Sequence, residues 1–168
     1  MGKFSQFDEE LILANLLPKH GKCAEFGARG RRGSNVAHLL DTGWFCQLID
    51  RSINETLKDF PIRGMKRKPE VYGSVYWGEG RHEIVHCTVT PENVNQVLWP
   101  DLDLLCIDID GRDLDVWKSV VQRPSVVVIE SNDSTSTKND IVSFSETRGY
   151  RFVVKTGVNV ILKHETFV

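Results

Sequence analysis

The chain has 168 residues, a length that suits one domain with a single core. Its 21 Lys and Arg residues against 23 Asp and Glu residues leave a formal net charge of -2, so no overall positive charge draws it to nucleic acid or to anionic membranes. With 40% hydrophobic and 26% charged residues, the composition excludes disordered, fibrous and membrane-spanning classes. The N-terminal sequence MGKFSQFDEE has no long apolar run, which predicts no secretory signal and a cytoplasmic location.

The predicted elements alternate between helix and strand along most of the chain. An amphipathic helix over residues 5–17 comes first, with Ser5 at its start and Pro18 just past its end. Predicted strands then cover residues 22–26, 45–50, 83–89, 104–109 and 126–130, and predicted helices cover residues 34–42, 91–98, 113–121 and 141–147. Strands that alternate with helices in this way indicate a parallel sheet with right-handed crossovers.

The last two predicted strands break this alternation. Residues 151–155 and 158–163 are separated only by Thr156 and Gly157, which is too short for a crossover and therefore predicts an antiparallel hairpin. The predicted fold class is α/β, a Rossmann-like three-layer sandwich around a mostly parallel sheet of the seven-stranded type with a C-terminal antiparallel hairpin. Residues 1–168 are expected to form a single domain.

Residues 60–81 fit none of these elements. Gly and Pro occur throughout the segment, around the basic run RGMKRK, which predicts a long variable loop. Three aromatic residues, Tyr72, Tyr76 and Trp77, follow the basic run and offer rings that can stack on a base or sugar. Two interpretations stay open: a mobile loop that contributes to acceptor binding, or a solvated loop whose aromatic residues pack on the sheet edge.

A glycine-rich loop, AEFGARGRRGSN, follows the first predicted strand and runs into a helix capped by Ser34. It holds three glycines, Gly27, Gly30 and Gly33. Their spacing departs from the dinucleotide fingerprint G-x-G-x-x-G and so disfavours NAD. Glu25 would repel a pyrophosphate but suits a cofactor with an ammonium group and no phosphate, such as S-adenosylmethionine. We expect Gly27 to lie against that cofactor, so that a valine there would block binding and leave the fold intact.

Acidic side chains follow the next strands at the edge where open α/β sheets bind ligands. Asp50 ends the second strand, where it can accept hydrogen bonds from both hydroxyls of a ribose. Asp108 and Asp110 come directly after a central apolar strand. The alternative is that these residues are structural: Asp110 would cap the turn, and Asp113 would cap the helix that follows it.

The strand after these residues ends in Glu130, Ser131 and Asn132. If it lies beside the strand before Asp108, three oxygen ligands converge there, which is enough for a hard divalent cation such as Mg2+. The sequence therefore predicts a metal site of Asp108, Glu130 and Asn132.

Several segments together resemble the FkbM-type methyltransferase family: EFGARG with the following SN, GWFCQLID, TPENVN, and DLLCIDIDGRDLDVW followed by PSVVVIESN. Members of that family resemble class I S-adenosylmethionine-dependent O-methyltransferases acting on hydroxyls of sugars or natural products. The resemblance implies O-methylation of a small-molecule or sugar acceptor. The alternatives are a non-catalytic S-adenosylmethionine-binding or interaction module, and a nucleic-acid methyltransferase that uses RGMKRK and the arginines of the glycine loop.

The resemblance also implies a set of site residues. The cofactor-binding residues would be Glu25, Gly27, Ala28, Gly30, Asn35, Asp50, Arg51, Thr88, Val89 and Asp108. Asp108 would lie at the transferring methyl group, and Asp110 is the first candidate for the base that removes the acceptor proton. The acidic pair further resembles that of metal-dependent catechol-type O-methyltransferases, although Glu130 stands for their Asp and Gly111 for their catalytic Lys.

Overall fold

The computed structural model describes residues 9–60, 63–79, 82–132 and 135–166. Its strands are β1 (Lys22–Phe26), β2 (Phe45–Asp50), β3 (Arg63–Glu70), β4 (Gly73–Glu79), β5 (His82–His86), β6 (Leu104–Ile107), β7 (Val126–Glu130), β8 (Tyr150–Thr156) and β9 (Asn159–His164). Its helices are α1 (Glu9–Leu16), α2 (Ala37–Asp41), α3 (Ile53–Asp59), α4 (Val94–Val97), α5 (Asp113–Ser119) and α6 (Thr135–Glu146). The nine strands described form one mixed sheet in the order β3-β4-β5-β2-β1-β6-β7-β9-β8.

The centre of the sheet is parallel, as predicted. β5, β2, β1, β6 and β7 lie side by side and all run in the same direction. The bounds of β1, β2 and β7 agree with the prediction, because these strands are almost wholly buried and read as short apolar runs. Their carboxyl ends therefore meet along one edge of the sheet.

The C-terminal hairpin is confirmed. β8 pairs with β9 antiparallel across the short turn at Thr156 and Asn159, and β9 also pairs antiparallel with β7. The predicted Rossmann-like α/β arrangement is thus confirmed. The predicted number of strands is wrong, because the sheet has nine described strands and not seven.

The segment 60–81, predicted as a loop, contains the additional hairpin of β3 and β4. β4 pairs antiparallel with β5, so that Ser74 lies opposite His86 and the hairpin turn lies at the carboxyl edge of the sheet. Gly73 is required at this junction, since a Cβ atom there would lie 2.0 Å from the carbonyl oxygen of His86. Because β3 is exposed along almost its whole length, its sequence carries no alternation of apolar and polar residues.

Two further helix predictions change. α6 begins at Thr135, inside the segment predicted as a polar loop, because its first turns need no apolar residue where they face solvent. α2 begins at Ala37 rather than at residue 34, yet the hydroxyl of Ser34 accepts the N–H groups of Val36 and Ala37, as expected of a cap. The predicted cap at Ser5 lies outside the described residues.

Helices cover both faces of the sheet and give the predicted three layers. One face packs against α1, α2 and α3 through residues such as Leu13 and Leu39. The other packs against α4, α5 and α6 through residues such as Val97, Trp117 and Ile141. Among the described helices, none is both long and apolar enough to span a bilayer.

Candidate cofactor and acceptor site

A cleft in two adjoining parts opens at the carboxyl ends of the parallel strands. The first part encloses about 380 Å³ including its mouth, and the second about 690 Å³. Predicted cofactor residues that line the first part are Gly27, Asp50, Arg51, Thr88, Val89 and Asp108. Those that line the second part are Glu25, Gly27, Gly30 and Asp108, together with Glu130. Most of the predicted residues therefore surround one continuous space.

Gly27 makes the turn at which the loops after β1, β2 and β6 meet. Its backbone φ is +82°, its N–H group donates to the carbonyl oxygen of Ile49 at 2.9 Å, and a Cβ atom would lie 1.8 Å from the carbonyl oxygen of Asp108. Gly27 is thus required by the backbone as well as lining the cleft. The close contact and the positive φ argue against the expectation that a valine here would leave the fold intact.

Glu25 is buried behind the glycine loop and holds it in place. Its carboxylate accepts the hydroxyl of Ser34 at 2.6 Å and the N–H group of Asn35 at 2.7 Å. The pKa of Glu25 is raised to about 7, mainly by burial and to a smaller extent by the carboxylates of Asp108 and Asp50. The two hydrogen bonds act in the opposite direction and lower it. Glu25, when ionised, therefore adds negative charge to the second part of the cleft, which Arg29 and Arg32 also line.

The other two predicted residues of this loop differ in their surroundings. Asn35 is 5% exposed, and its side-chain oxygen has no hydrogen-bond partner among the described residues. Ala28 packs in the core, and its carbonyl oxygen accepts the hydroxyl of Thr56 at 2.8 Å. Neither residue is among those that line the two parts of the cleft: the Asn35 oxygen is buried, and Ala28 is occupied by contacts inside the protein.

Asp50 and the segment after β5 form the opposite side of the first part. Asp50 is buried, and one carboxylate oxygen accepts the N–H group of Ser52 at 2.5 Å. Thr88 is held by Asn93, whose amide nitrogen donates to the Thr88 carbonyl oxygen at 2.9 Å. Asn93 is a positioning residue that sequence reasoning missed, because nothing in its spacing distinguishes it from an ordinary helix-start asparagine.

Three carboxylates meet beside the cleft at the ends of β6 and β7. One oxygen from each of Asp108, Asp113 and Glu130 lies within 4.8 Å of the others. Burial and the neighbouring carboxylates raise the pKa of Glu130 to about 7, and burial followed by Asp113 raises the pKa of Asp108. Their hydrogen bond raises the pKa of Glu130 and lowers that of Asp108, which makes Glu130 the more basic partner for the proton that the two carboxyl groups share.

Asp113, rather than Asn132, is the third member of this acidic cluster. Its two carboxylate oxygens accept the N–H groups of Ile109 and Gly111 at 2.8 and 3.0 Å, which closes the turn after β6. In the amide orientation that satisfies its hydrogen bonds, Asn132 donates to both carboxylate oxygens of Glu130 at 3.2 Å. Asn132 thus lies at the predicted place but contacts Glu130 as a donor.

Asp110 points away from the acidic cluster toward two arginines. Its carboxylate accepts Arg29 of the glycine loop at 2.5 Å and Arg51, just after β2, at 3.2 Å. The three side chains are half-exposed and link the loops on either side of the first part of the cleft. Arg29 was not among the predicted site residues because it is 81 positions from Asp110 in the sequence.

Solved structures with this fold are found at low sequence identity. Precorrin-6y C5,15-methyltransferase from Geobacter metallireducens has a TM-score of 0.59 at 17% identity, over 92% of this chain and 83% of that chain. An rRNA methylase from Streptococcus thermophilus has a TM-score of 0.56 at 12% identity, over 98% of both chains. TrmK from M. capricolum, solved in complex with S-adenosyl-homocysteine, has a TM-score of 0.58 at 14% identity, over 97% of this chain and 70% of that chain.

These likenesses establish that the chain has the α/β fold of class I methyltransferases. No protein-family model matches the sequence, and no curated protein matches it. The resemblance to the FkbM-type family therefore remains a resemblance of motifs, and what the chain does has to be argued from its own cleft.

Proposed function

We propose that this chain is an S-adenosylmethionine-dependent methyltransferase that methylates a hydroxyl group. The observation that carries the proposal is the cleft at the carboxyl ends of β1, β2, β5 and β6. Gly27, in the turn after β1, lines this cleft, and Asp50 is buried on one side of it. In open α/β sheets this is where an adenosyl cofactor binds. The methyltransferase fold of the solved structures supports the same assignment.

The charges of the cleft suit this cofactor. The carboxylates of Asp108 and Asp50 are near enough to Glu25 to raise its pKa, so a cationic ligand would relieve the repulsion among them. S-adenosylmethionine carries an ammonium and a sulfonium group and no phosphate. Asp50 would hold the ribose, and Thr88 and Val89 would lie near the adenine.

The acidic cluster supplies a base for the acceptor hydroxyl. When bound, the cofactor supplies an activated methyl group and leaves as S-adenosylhomocysteine. When the shared proton has left Glu130, whose pKa is about 7, the ionised carboxylate can take up the proton that the acceptor oxygen loses as it forms its bond to the methyl carbon. Asp110, the first candidate from the sequence, is engaged by two guanidinium groups, so Glu130 replaces it as our proposed base and Asp108 supports Glu130 through their hydrogen bond.

A divalent cation fits the same cluster as an alternative to the shared proton. Asp108, Asp113 and Glu130 each offer one oxygen in a group compact enough for Mg2+, although both oxygens of Asp113 already accept backbone N–H groups. A cation held there would keep the carboxylates ionised and acidify the acceptor hydroxyl. Asn132 would then orient Glu130.

Replacing Asp50 tests the cofactor site. Asp50→Ala is expected to weaken S-adenosylhomocysteine binding by ~1 to 3 kcal/mol, because charge-assisted hydrogen bonds to the ribose are lost. Asp50→Asn, which preserves the acceptor for Ser52, should also weaken binding, and Asp115→Ala on the exposed side of α5 should not. Calorimetric titration measures all three. Equal affinity in Asp50→Asn and the unmodified protein would remove Asp50 from the site.

Mg2+ binding tests the acidic cluster. At pH 7, Mg2+ at ten times its dissociation constant is expected to stabilise the protein by about 1.4 kcal/mol and to release a proton from the Asp108 and Glu130 pair. Glu130→Gln should abolish both effects, whereas Asp110→Asn, outside the cluster, should retain them. Thermal unfolding and calorimetry in buffers of different ionisation enthalpy provide the readouts. Stabilisation that survives in Glu130→Gln would exclude this metal site.

Nucleic acid is the second candidate acceptor, and one feature favours it. β3 exposes Arg63, Lys66, Arg67 and Lys68 along one edge of the sheet. One solved structure of the same fold is by its name an rRNA methylase.

A further inference from the structure

A groove adjoins the cleft on the side of the glycine loop. It encloses about 550 Å³ and is lined by Arg29, Gly30, Arg32, Lys58 and Asp59. Three of these residues, Arg29, Gly30 and Arg32, also line the second part of the cleft, beside Asp108 and Glu130. A molecule whose hydroxyl reaches the acidic cluster therefore has a direct path into the groove.

Two cations of the groove have no acidic partner among the described residues. Arg32 and Lys58 are both exposed, and neither makes an ion pair in the part of the chain that the structure describes. Arg31, between the glycines of the same loop, differs: it pairs with Asp41 at 2.8 Å and lies over the ring of Phe60. The loop thus anchors one arginine and directs its neighbour into the groove.

The anions near the groove are already engaged. Asp59 accepts the backbone N–H group of Arg31 at 3.3 Å, and Asp110 is paired with Arg29 and Arg51. Gly30 leaves room for the Asp59 carboxylate, since a Cβ atom at Gly30 would lie 2.5 Å from it. A ligand anion in the groove would therefore be held by Arg32 and Lys58 and not by the loop backbone at Gly30.

The charge also changes sign across the site. Arg29 and Arg32 line both regions, but the cleft adds the four carboxyl groups of Glu25, Asp108, Asp110 and Glu130, whereas the groove adds Lys58 and only one carboxylate, Asp59. A neutral sugar would gain nothing from those cations. An acceptor with a phosphate would gain charge-assisted hydrogen bonds at one end while its hydroxyl faces Glu130 at the other.

We infer that the methyl acceptor carries a phosphate group, which Arg32 and Lys58 hold in this groove. The inference rests on the proposed methyltransferase function and names the substrate class of the same site. A phosphorylated sugar and a nucleic-acid strand both offer this chemistry.

The test uses ribose 5-phosphate and a short single-stranded RNA as probes, titrated into the protein saturated with S-adenosylhomocysteine. At least one probe should bind, and the double variant Arg32→Ser, Lys58→Ser should weaken its binding by roughly tenfold or more. The matched control is Arg151→Ser, Lys118→Ser, which removes an exposed arginine and an exposed lysine from β8 and α5. The control should bind the probe as the unmodified protein does.

The outcomes separate the sources of the phosphate. Binding of ribose 5-phosphate alone supports a small phosphorylated acceptor, and RNA binding that falls steeply with salt supports a nucleic-acid strand. The inference is overturned if neither probe binds the unmodified protein. It is also overturned if the Arg32→Ser, Lys58→Ser variant binds the probe as well as the Arg151→Ser, Lys118→Ser control does. S-adenosylhomocysteine affinity is measured on each protein beforehand, and a lack of binding to the unmodified protein would contradict the proposed function instead.

Discussion

Replacing Gly27 by valine is expected to lower the free energy of unfolding by about 2 to 5 kcal/mol, because it combines two costs. A β-branched residue at a φ of +82° is strained by roughly 1 to 2 kcal/mol. Its Cβ atom would also occupy a point 1.8 Å from the carbonyl oxygen of Asp108, so β1 and β6 would have to separate at this point. Overpacking of this kind typically costs a further 1 to 3 kcal/mol or so.

Gly111 offers the matched control. Its φ is +106°, but a Cβ atom there would meet nothing within 4 Å. Gly111→Ala should therefore lose only the conformational part, about 1 to 2 kcal/mol. Urea denaturation followed by circular dichroism compares the variants. If Gly27→Val were as stable as Gly111→Ala, the close contact with Asp108 would not limit this position.

The second expected result concerns pH: Glu25 should make the protein lose about 3 kcal/mol of stability as the pH rises from about 4.5 to above 7. Burial raises the pKa of Glu25 from 4.5 in the unfolded chain to about 7 in the folded one. The folded state therefore binds the proton more tightly. The stabilising contribution is complete below pH 4.5 and is lost as the pH rises through 7, at about 1.4 kcal/mol for each pKa unit.

Glu25→Gln isolates this contribution, since an amide keeps the size of the protonated carboxyl and does not titrate. The variant should show a flatter dependence of unfolding free energy on pH between 4.5 and 7 than the unmodified protein. Glu130 adds a dependence of the same sign in both proteins, so the difference between the two curves is the measured quantity. Parallel curves would mean that Glu25 is not the titrating group.

The sequence predicts those parts of the fold that are buried on both sides. β7 is a run of apolar residues because helices cover both faces of the sheet, so its limits can be read directly. Asp50, Asp108 and Glu130 were found by one rule, that side chains at the carboxyl ends of neighbouring parallel strands meet. To apply this rule, only the residue at which each strand ends has to be predicted correctly.

The remaining features depend on contacts that no local pattern records. β3 is exposed and has no apolar period, so it could not be distinguished from a loop. Asp113 joins the acidic cluster because the turn before it, with positive φ at Asp110 and Gly111, folds back onto its carboxylate. The pairing of Asp110 with Arg29 joins two loops that are distant in sequence.

The hairpin that extends the sheet also determines where the sheet stops. An outer strand presents unpaired N–H and C=O groups to which a strand of another molecule can add, a route to aggregation. β3 occupies that position with Lys66, Arg67 and Lys68 followed by Pro69, which has no N–H group to donate. A second copy approaching this edge would meet like charge, so β3 protects the sheet against aggregation through intermolecular strand addition.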